Sequence, residues 1–101
     1  MDTQSKILAV RTRFAHEQAK RLLKEKYEAR MVFAHAGGMW RAGPELITVL
    51  QACPGDSAVI LDLYETPVQI TVPELATLCQ QRWQEQMTAW LVEHTAMSRE
   101  R

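Results

Sequence analysis

The sequence is poor in the patterns that carry chemistry. It contains no phosphate-binding glycine loop, no dinucleotide fingerprint, no paired Cys-x-x-Cys and no His-x-x-x-His. Its three histidines, His16, His35 and His94, fall on three different predicted elements, and nothing in their spacing predicts that they meet. Asp62 and Glu65 straddle a predicted turn and read as solvated carboxylates. Catalysis needs convergent groups of matched pKa, and no such set can be assembled. The reading is of a non-enzymatic protein with no catalytic residue, no cofactor and no metal site.

Cysteine is scarce as well. Cys53 and Cys79 each fall on a predicted helix among apolar neighbours, which predicts two buried thiols rather than a disulfide. No apolar run approaches 18 residues, and neither a secretory apolar stretch nor a lipidation signature is present. A cytoplasmic protein without a membrane partner is expected. The formal net charge is zero, so no general attraction to nucleic acid or anionic lipid follows. That zero conceals a division. Residues 1–30 carry eight Lys or Arg against four acids, a balance of +4, and residues 31–101 carry the opposite balance of −4. A basic helix beside a mildly acidic body can present a solvated face, pair internally, or pair head-to-tail between copies.

What is present is the material of one small domain, residues 1–101, with 47% hydrophobic and 24% charged residues. The longest coherent stretch is Pro73 to Met97. Pro73 suits the first helical turn, and Glu74 suits the positive end of the helix dipole. Ala76, Cys79, Trp83, Met87, Trp90, His94 and Met97 recur at helical spacing on one face, with Gln81, Gln84, Glu85, Thr88 and Thr95 opposite. Residues 98–101 read as a polar tail.

Upstream, residues 3–29 predict a basic amphipathic helix. Thr3 or Ser5 can cap it, and Ile7, Leu8, Phe14, Ala15, Ala19, Leu22 and Leu23 lie on one broad side. Interleaved Glu17, Glu25 and Glu28, and the absence of Trp, favour core packing or a partner groove over a membrane surface. Residues 31–53 predict a hairpin, with Gly37-Gly38 as its turn, and a short helix begun by Gly43-Pro44, whose buried stripe is Leu46, Val49, Leu50 and Cys53. His35 beside the glycines reads as a strand histidine with a local hydrogen bond. Pro54-Gly55-Asp56 turns the chain. Ala58–Tyr64 and Val68–Val72 predict a second hairpin across Glu65-Thr66-Pro67, leading into the long helix, so that residues 58–97 form hairpin plus helix.

Two stretches share one plan. Pro44-Glu45-Leu46-Ile47-Thr48-Val49-Leu50-Gln51 aligns with Pro73-Glu74-Leu75-Ala76-Thr77-Leu78-Cys79-Gln80 at an offset of 29 residues. The same offset aligns the two turns. Pro-Glu-Leu is also a common way to start a helix, so the alignment is compatible with a repeat or with two similar starts. The predicted class is α+β: a long N-terminal helix, two hairpin–helix units forming a small antiparallel sheet packed by helices, and a long C-terminal helix.

Tryptophan carries the functional expectation. Trp is enriched at protein interfaces. Trp83 reads as core, whereas Trp90, with Met87 and Leu91, lies beyond what a small sheet covers. Together with Lys20, Arg21 and Lys24 of the basic helix, and with Trp40, these residues form the candidate contact surface.

Phe33-Ala34-His35-Ala36-Gly37-Gly38-Met39-Trp40, Pro44-Glu45-Leu46-Ile47 and Gln81-Arg82-Trp83-Gln84-Glu85-Gln86-Met87-Thr88-Ala89-Trp90 resemble segments of short proteins encoded by large contractile-tailed bacteriophages. The likeness covers residues 20–95. It implies a small virion or assembly component made in the bacterial cytoplasm, and it implies no catalytic or binding residue. The expected function is a protein–protein interaction module acting on a protein partner or on itself. Two alternatives are a small regulator that binds nucleic acid or a nucleic-acid enzyme through the first helix, and an accessory subunit of a host enzyme.

Overall fold

The computed structural model describes the backbone of residues 3–99 and the side chains of residues 11–99. Its elements follow the order α1 (Thr3–Arg30), β1 (Val32–His35), β2 (Gly38–Arg41), α2 (Pro44–Gln51), β3 (Ser57–Leu61), β4 (Pro67–Thr71) and α3 (Val72–Arg99). The α+β class and the two hairpin–helix units agree with the sequence. The strands, however, form two separate two-stranded antiparallel sheets, β1-β2 and β3-β4, and do not merge into one.

The reason for the separation lies at Asp62. Its backbone N–H bonds to the Thr66 carbonyl, while its carboxylate accepts the N–H groups of Tyr64, Thr66 and Met39. Side-chain bonds of this kind compete with strand continuation. The strand predicted to run to Tyr64 therefore stops at Leu61, and residues 62–66 become a loop. Leu63 N–H donates to the Met39 carbonyl at 2.7 Å. The backbone of β2 is thus hydrogen-bonded to the loop of the second hairpin and not to one of its strands.

The first turn also differs from expectation. His35 pairs with Gly38, so the two turn residues are Ala36 and Gly37, with φ of 53° and 80°. Two consecutive positive φ values are the signature of the type I′ hairpin. Gly38 is needed for space instead. A Cβ there would lie 3.0 Å from Trp40 Cζ2, 3.2 Å from Val68 Cγ2 and 3.3 Å from Asp62 Cβ.

The core is small. Met31, Phe33, Trp40, Ala42, Leu50, Ile70, Leu75 and Cys79 are its buried members. Leu75 and Cys79 come from the first turns of α3, which covers the hairpins with one end only. On α2, Leu50 is buried and Leu46 and Ile47 are half-buried, whereas Val49 faces solvent; Cys53 lies beyond the end of the helix and is half-buried rather than buried. Both cysteines are free thiols. Burial raises the pKa of Cys79, whose thiol lies 3.8 Å from the Gly43 carbonyl.

The 29-residue offset relates backbone positions closely. Gly38 and Pro67 open β2 and β4, Ala36 and Glu65 both have positive φ, and Pro44 and Pro73 both stand in first helical turns. The inward faces do not correspond. β2 buries Gly38 and Trp40, whereas β4 turns inward Val68 and Ile70, which the offset aligns with Met39 and Arg41.

Beyond the hairpins, α3 continues and packs antiparallel to α1. Arg30 lies near Arg82, while Tyr27 lies near Trp90 and Glu93, so contacts move down one helix as they move up the other. The molecule is a rod of 66 × 24 × 21 Å with a radius of gyration of 19.4 Å, against about 13 Å for a compact chain of this length. The broad apolar side read into α1 is not a core face. Phe14 and Leu22 are 64% and 60% exposed, and Tyr27, at 1%, is the only buried side chain of α1 among the described residues. Ile7, Leu8 and the capping side chains of Thr3 and Ser5 lie outside the described side chains.

Candidate interaction groove

Tyr27 holds the two helices together. Its ring stacks on Trp90 with centroids 5.9 Å apart and planes inclined by 7°. Its hydroxyl donates to Glu93 Oε1 at 2.5 Å, and Lys26 Nζ reaches the same oxygen at 2.6 Å. Lys26 and Arg30 also lie over the Tyr27 ring, at 5.3 and 5.4 Å. Glu93 is pulled below the usual carboxylate range, first by the Lys26 hydrogen bond and then by that of Tyr27. The Tyr27 phenol is raised, chiefly because it donates to Glu93. The cluster contains one aromatic pair, one carboxylate and two cations, with every charge in contact.

Immediately beside this clamp the two helices diverge into a groove of about 500 Å³. Glu17, Lys20, Arg21 and Lys24 line it from α1, and Trp90 and His94 from α3. Both sets have helical spacing: 17, 20, 21 and 24 share one stripe of α1. On α3, Met87 and Leu91 follow at helical spacing from Trp90 and His94 but turn outward and do not line the groove. Leu91 is 64% exposed and Met87 38%. Lys24 makes an exposed ion pair with Glu28 at 3.7 Å. Lys20 and Arg21 make no ion pair among the described residues. The α1 wall thus carries three cations and one carboxylate, and the α3 wall an aromatic ring and an imidazole.

Of the surface residues named from the sequence, Lys20, Arg21, Lys24 and Trp90 come together in this groove, whereas Met87 and Leu91 are exposed on α3 and do not line it. Trp40 does not join them. It is 2% exposed, belongs to the core and donates its indole N–H to the His35 carbonyl at 2.9 Å. Trp90 is also less free than expected, because α1 of the same chain covers one of its faces. The clamp residues Lys26, Tyr27 and Glu93 were not singled out. The available signal was Tyr27 itself, four residues beyond Leu23 and so on the same helical stripe.

Other polar groups are scattered. His35 Nε2 lies 3.9 Å from Glu74 Oε2 at the start of α3, about 30 Å along that helix from His94. Asp62 is half-buried rather than solvated, and its pKa is lowered first by the Thr66 N–H and next by that of Met39. Among the described residues no three His, Cys, Asp or Glu side chains are grouped to hold a metal ion, and no helix is long and apolar enough to cross a membrane. No protein-family model matches the chain, and no curated protein or solved structure matches it significantly.

Proposed function

We propose that this protein is a non-enzymatic protein–protein interaction module whose binding surface is the groove between α1 and α3. The observation that carries the reading is the union of the Trp90 ring with the cations Lys20, Arg21 and Lys24 in one groove, with Met87 and Leu91 exposed on the outward flank of the same helix. Such a groove suits a partner surface that pairs apolar anchors with carboxylates, as an acidic amphipathic helix does. The rod-like shape supports it. The chain exposes 7473 Å², about 1,600 Å² more than a compact monomer of its mass, whereas a standard interface removes about 800 Å² from each partner. The resemblance to contractile-tailed phage proteins supplies a setting, a structural or assembly role in the host cytoplasm or virion, and it rests on sequence segments alone.

Lys20 and Arg21, which make no ion pair among the described residues, give the nucleic-acid reading its own support, and one experiment separates the two. The full chain is titrated with a labelled acidic amphipathic peptide and with labelled single- and double-stranded DNA, at low and physiological salt. The interaction reading expects peptide binding that tolerates salt and is lost in Leu91→Asp as well as in the triple variant Lys20→Glu, Arg21→Glu, Lys24→Glu. DNA binding that falls steeply with salt and ignores Leu91→Asp would replace it with the regulator reading. If neither probe binds at low salt and at concentrations where the chain is monomeric, the groove is not the binding surface.

A further inference from the structure

The second hairpin carries an exposed feature that the groove alone does not explain. Its loop, residues 62–66, projects Tyr64 at 70% exposure and Glu65, directly after Leu61 at 60%. An exposed aromatic next to an exposed acid is the chemical complement of an aromatic ring next to cations. The loop is also rigid. Asp62 takes the N–H groups of Tyr64 and Thr66, Glu65 N–H donates to the Asp62 carbonyl at 3.0 Å, and Leu63 N–H is held by Met39. A preorganised tip loses little conformational freedom on docking, which is where exposed loops usually forfeit affinity.

We infer that the occupant of the α1–α3 groove is a second copy of this chain, which inserts the tip of its β3–β4 hairpin. Tyr64 and Leu61 of one copy lie against Trp90 and His94 of the next, and Glu65 meets Lys20 and Arg21. This inference rests on the groove being a protein-binding surface. The two surfaces differ and lie on different parts of the rod, the tip beside the core and the groove along the helix pair. Two copies that exchange tips reciprocally close into a dimer, and a one-way contact propagates head-to-tail into a filament or closes into a ring. The opposite charge balances, +4 over residues 1–30 and −4 over residues 31–101, act in the same direction. A symmetric pairing of two grooves would instead bring the cationic walls together, which is repulsive.

The test is sedimentation velocity of the full chain over a wide concentration range at low salt, with circular dichroism to show that each variant is folded. The unmodified chain is expected to grow from single chains to higher masses. Tyr64→Ala and the triple variant Lys20→Glu, Arg21→Glu, Lys24→Glu are each expected to weaken association by about tenfold or more. Glu65→Lys alone weakens it similarly. Mixing Glu65→Lys with the triple variant restores growth, because each reversed surface then finds an opposite charge. A single-chain mass at every concentration overturns the inference, as does an oligomer indifferent to Tyr64→Ala and Glu65→Lys. The peptide titration above then decides the groove separately. A monomeric chain that binds the peptide keeps the interaction reading, and a monomeric chain that does not loses both.

Discussion

Replacing Gly38 by Ala is a severe test of how the two hairpins meet. The new Cβ would lie 3.0–3.3 Å from three side-chain carbons, where ordinary contact begins near 3.5 Å. None of the three neighbours can retreat easily. The Trp40 ring is buried and tied by its indole N–H to the His35 carbonyl. Asp62 is fixed by three backbone N–H groups on its carboxylate. Val68 is β-branched and half-buried, with little rotamer freedom. Overpacking of this kind costs about 1–3 kcal/mol. Restricting the unfolded chain by a Gly-to-Ala change returns about 0.4–1 kcal/mol. The expected net loss is about 1–2 kcal/mol, a fall in Tm of roughly 5–15 °C for a chain of this size. Thermal melts by circular dichroism measure it, and the near-ultraviolet signal of Trp40 shows whether the junction is disturbed. Gly55→Ala is the control, since nothing lies within 4 Å of a Cβ there. It is expected to be neutral or slightly stabilising. If Gly38→Ala melts with Gly55→Ala, the close approach of the hairpins is wrong.

At the neighbouring turn the sign reverses. Ala36 stands at φ 53°, where an ordinary side chain is strained, and Ala36→Asn creates the favoured Asn-Gly pair; it is expected to raise stability by about 0.5–1 kcal/mol in denaturant titration. Leu75→Ala, at a wholly buried position, is expected to cost about 2–5 kcal/mol by the same assay, a large share of the stability of so thin a core. Acid should destabilise the fold through Asp62 and Glu93, both held below their ordinary values of 3.8 and 4.5. A depressed carboxylate contributes stability that is complete above its unfolded pKa and lost as pH falls through its folded one. Melts taken downward from pH 6 should therefore drop below about pH 4.5, and Asp62→Asn with Glu93→Gln should flatten that limb while lowering Tm at neutral pH. Tyr27 has the opposite sense: its raised phenol adds stability that fades as pH climbs above 10, and Tyr27→Phe should remove that alkaline limb.

Local pattern was enough for the helices and hairpins, and long-range partners were not visible in it. The 3–4 spacing from Ala76 to Met97 located α3 to within a residue or two at each end, because one face of that helix is in contact along its length. The alternation from Ala58 to Tyr64 overran the strand by three residues. Leu63 and Tyr64 keep the alternation, but the side chain of Asp62 captures the backbone that would have continued it. Gly37-Gly38 was a sound turn signal with the wrong centre, since a glycine serves either conformation or space and the sequence does not distinguish them. In the candidate groove, the cationic stripe at Lys20, Arg21 and Lys24 and the aromatic position Trp90 were each legible on a helix face. Their juxtaposition was not, because it depends on Tyr27 meeting Glu93 across the whole body of the protein. Trp40 was misplaced for a related reason: an aromatic in a short strand carries no mark that separates core from surface.

The same long reach sets the order in which the molecule can assemble. Tyr27 and Glu93 are 66 residues apart in the chain, and Lys26 and Glu93 are 67 apart, whereas the first hairpin closes across a two-residue turn. Closing a long loop is slow relative to local pairing, so the hairpins and the start of α3 come together first. Although α1 leads the sequence, its docking on residues 86–97 is then expected to come last.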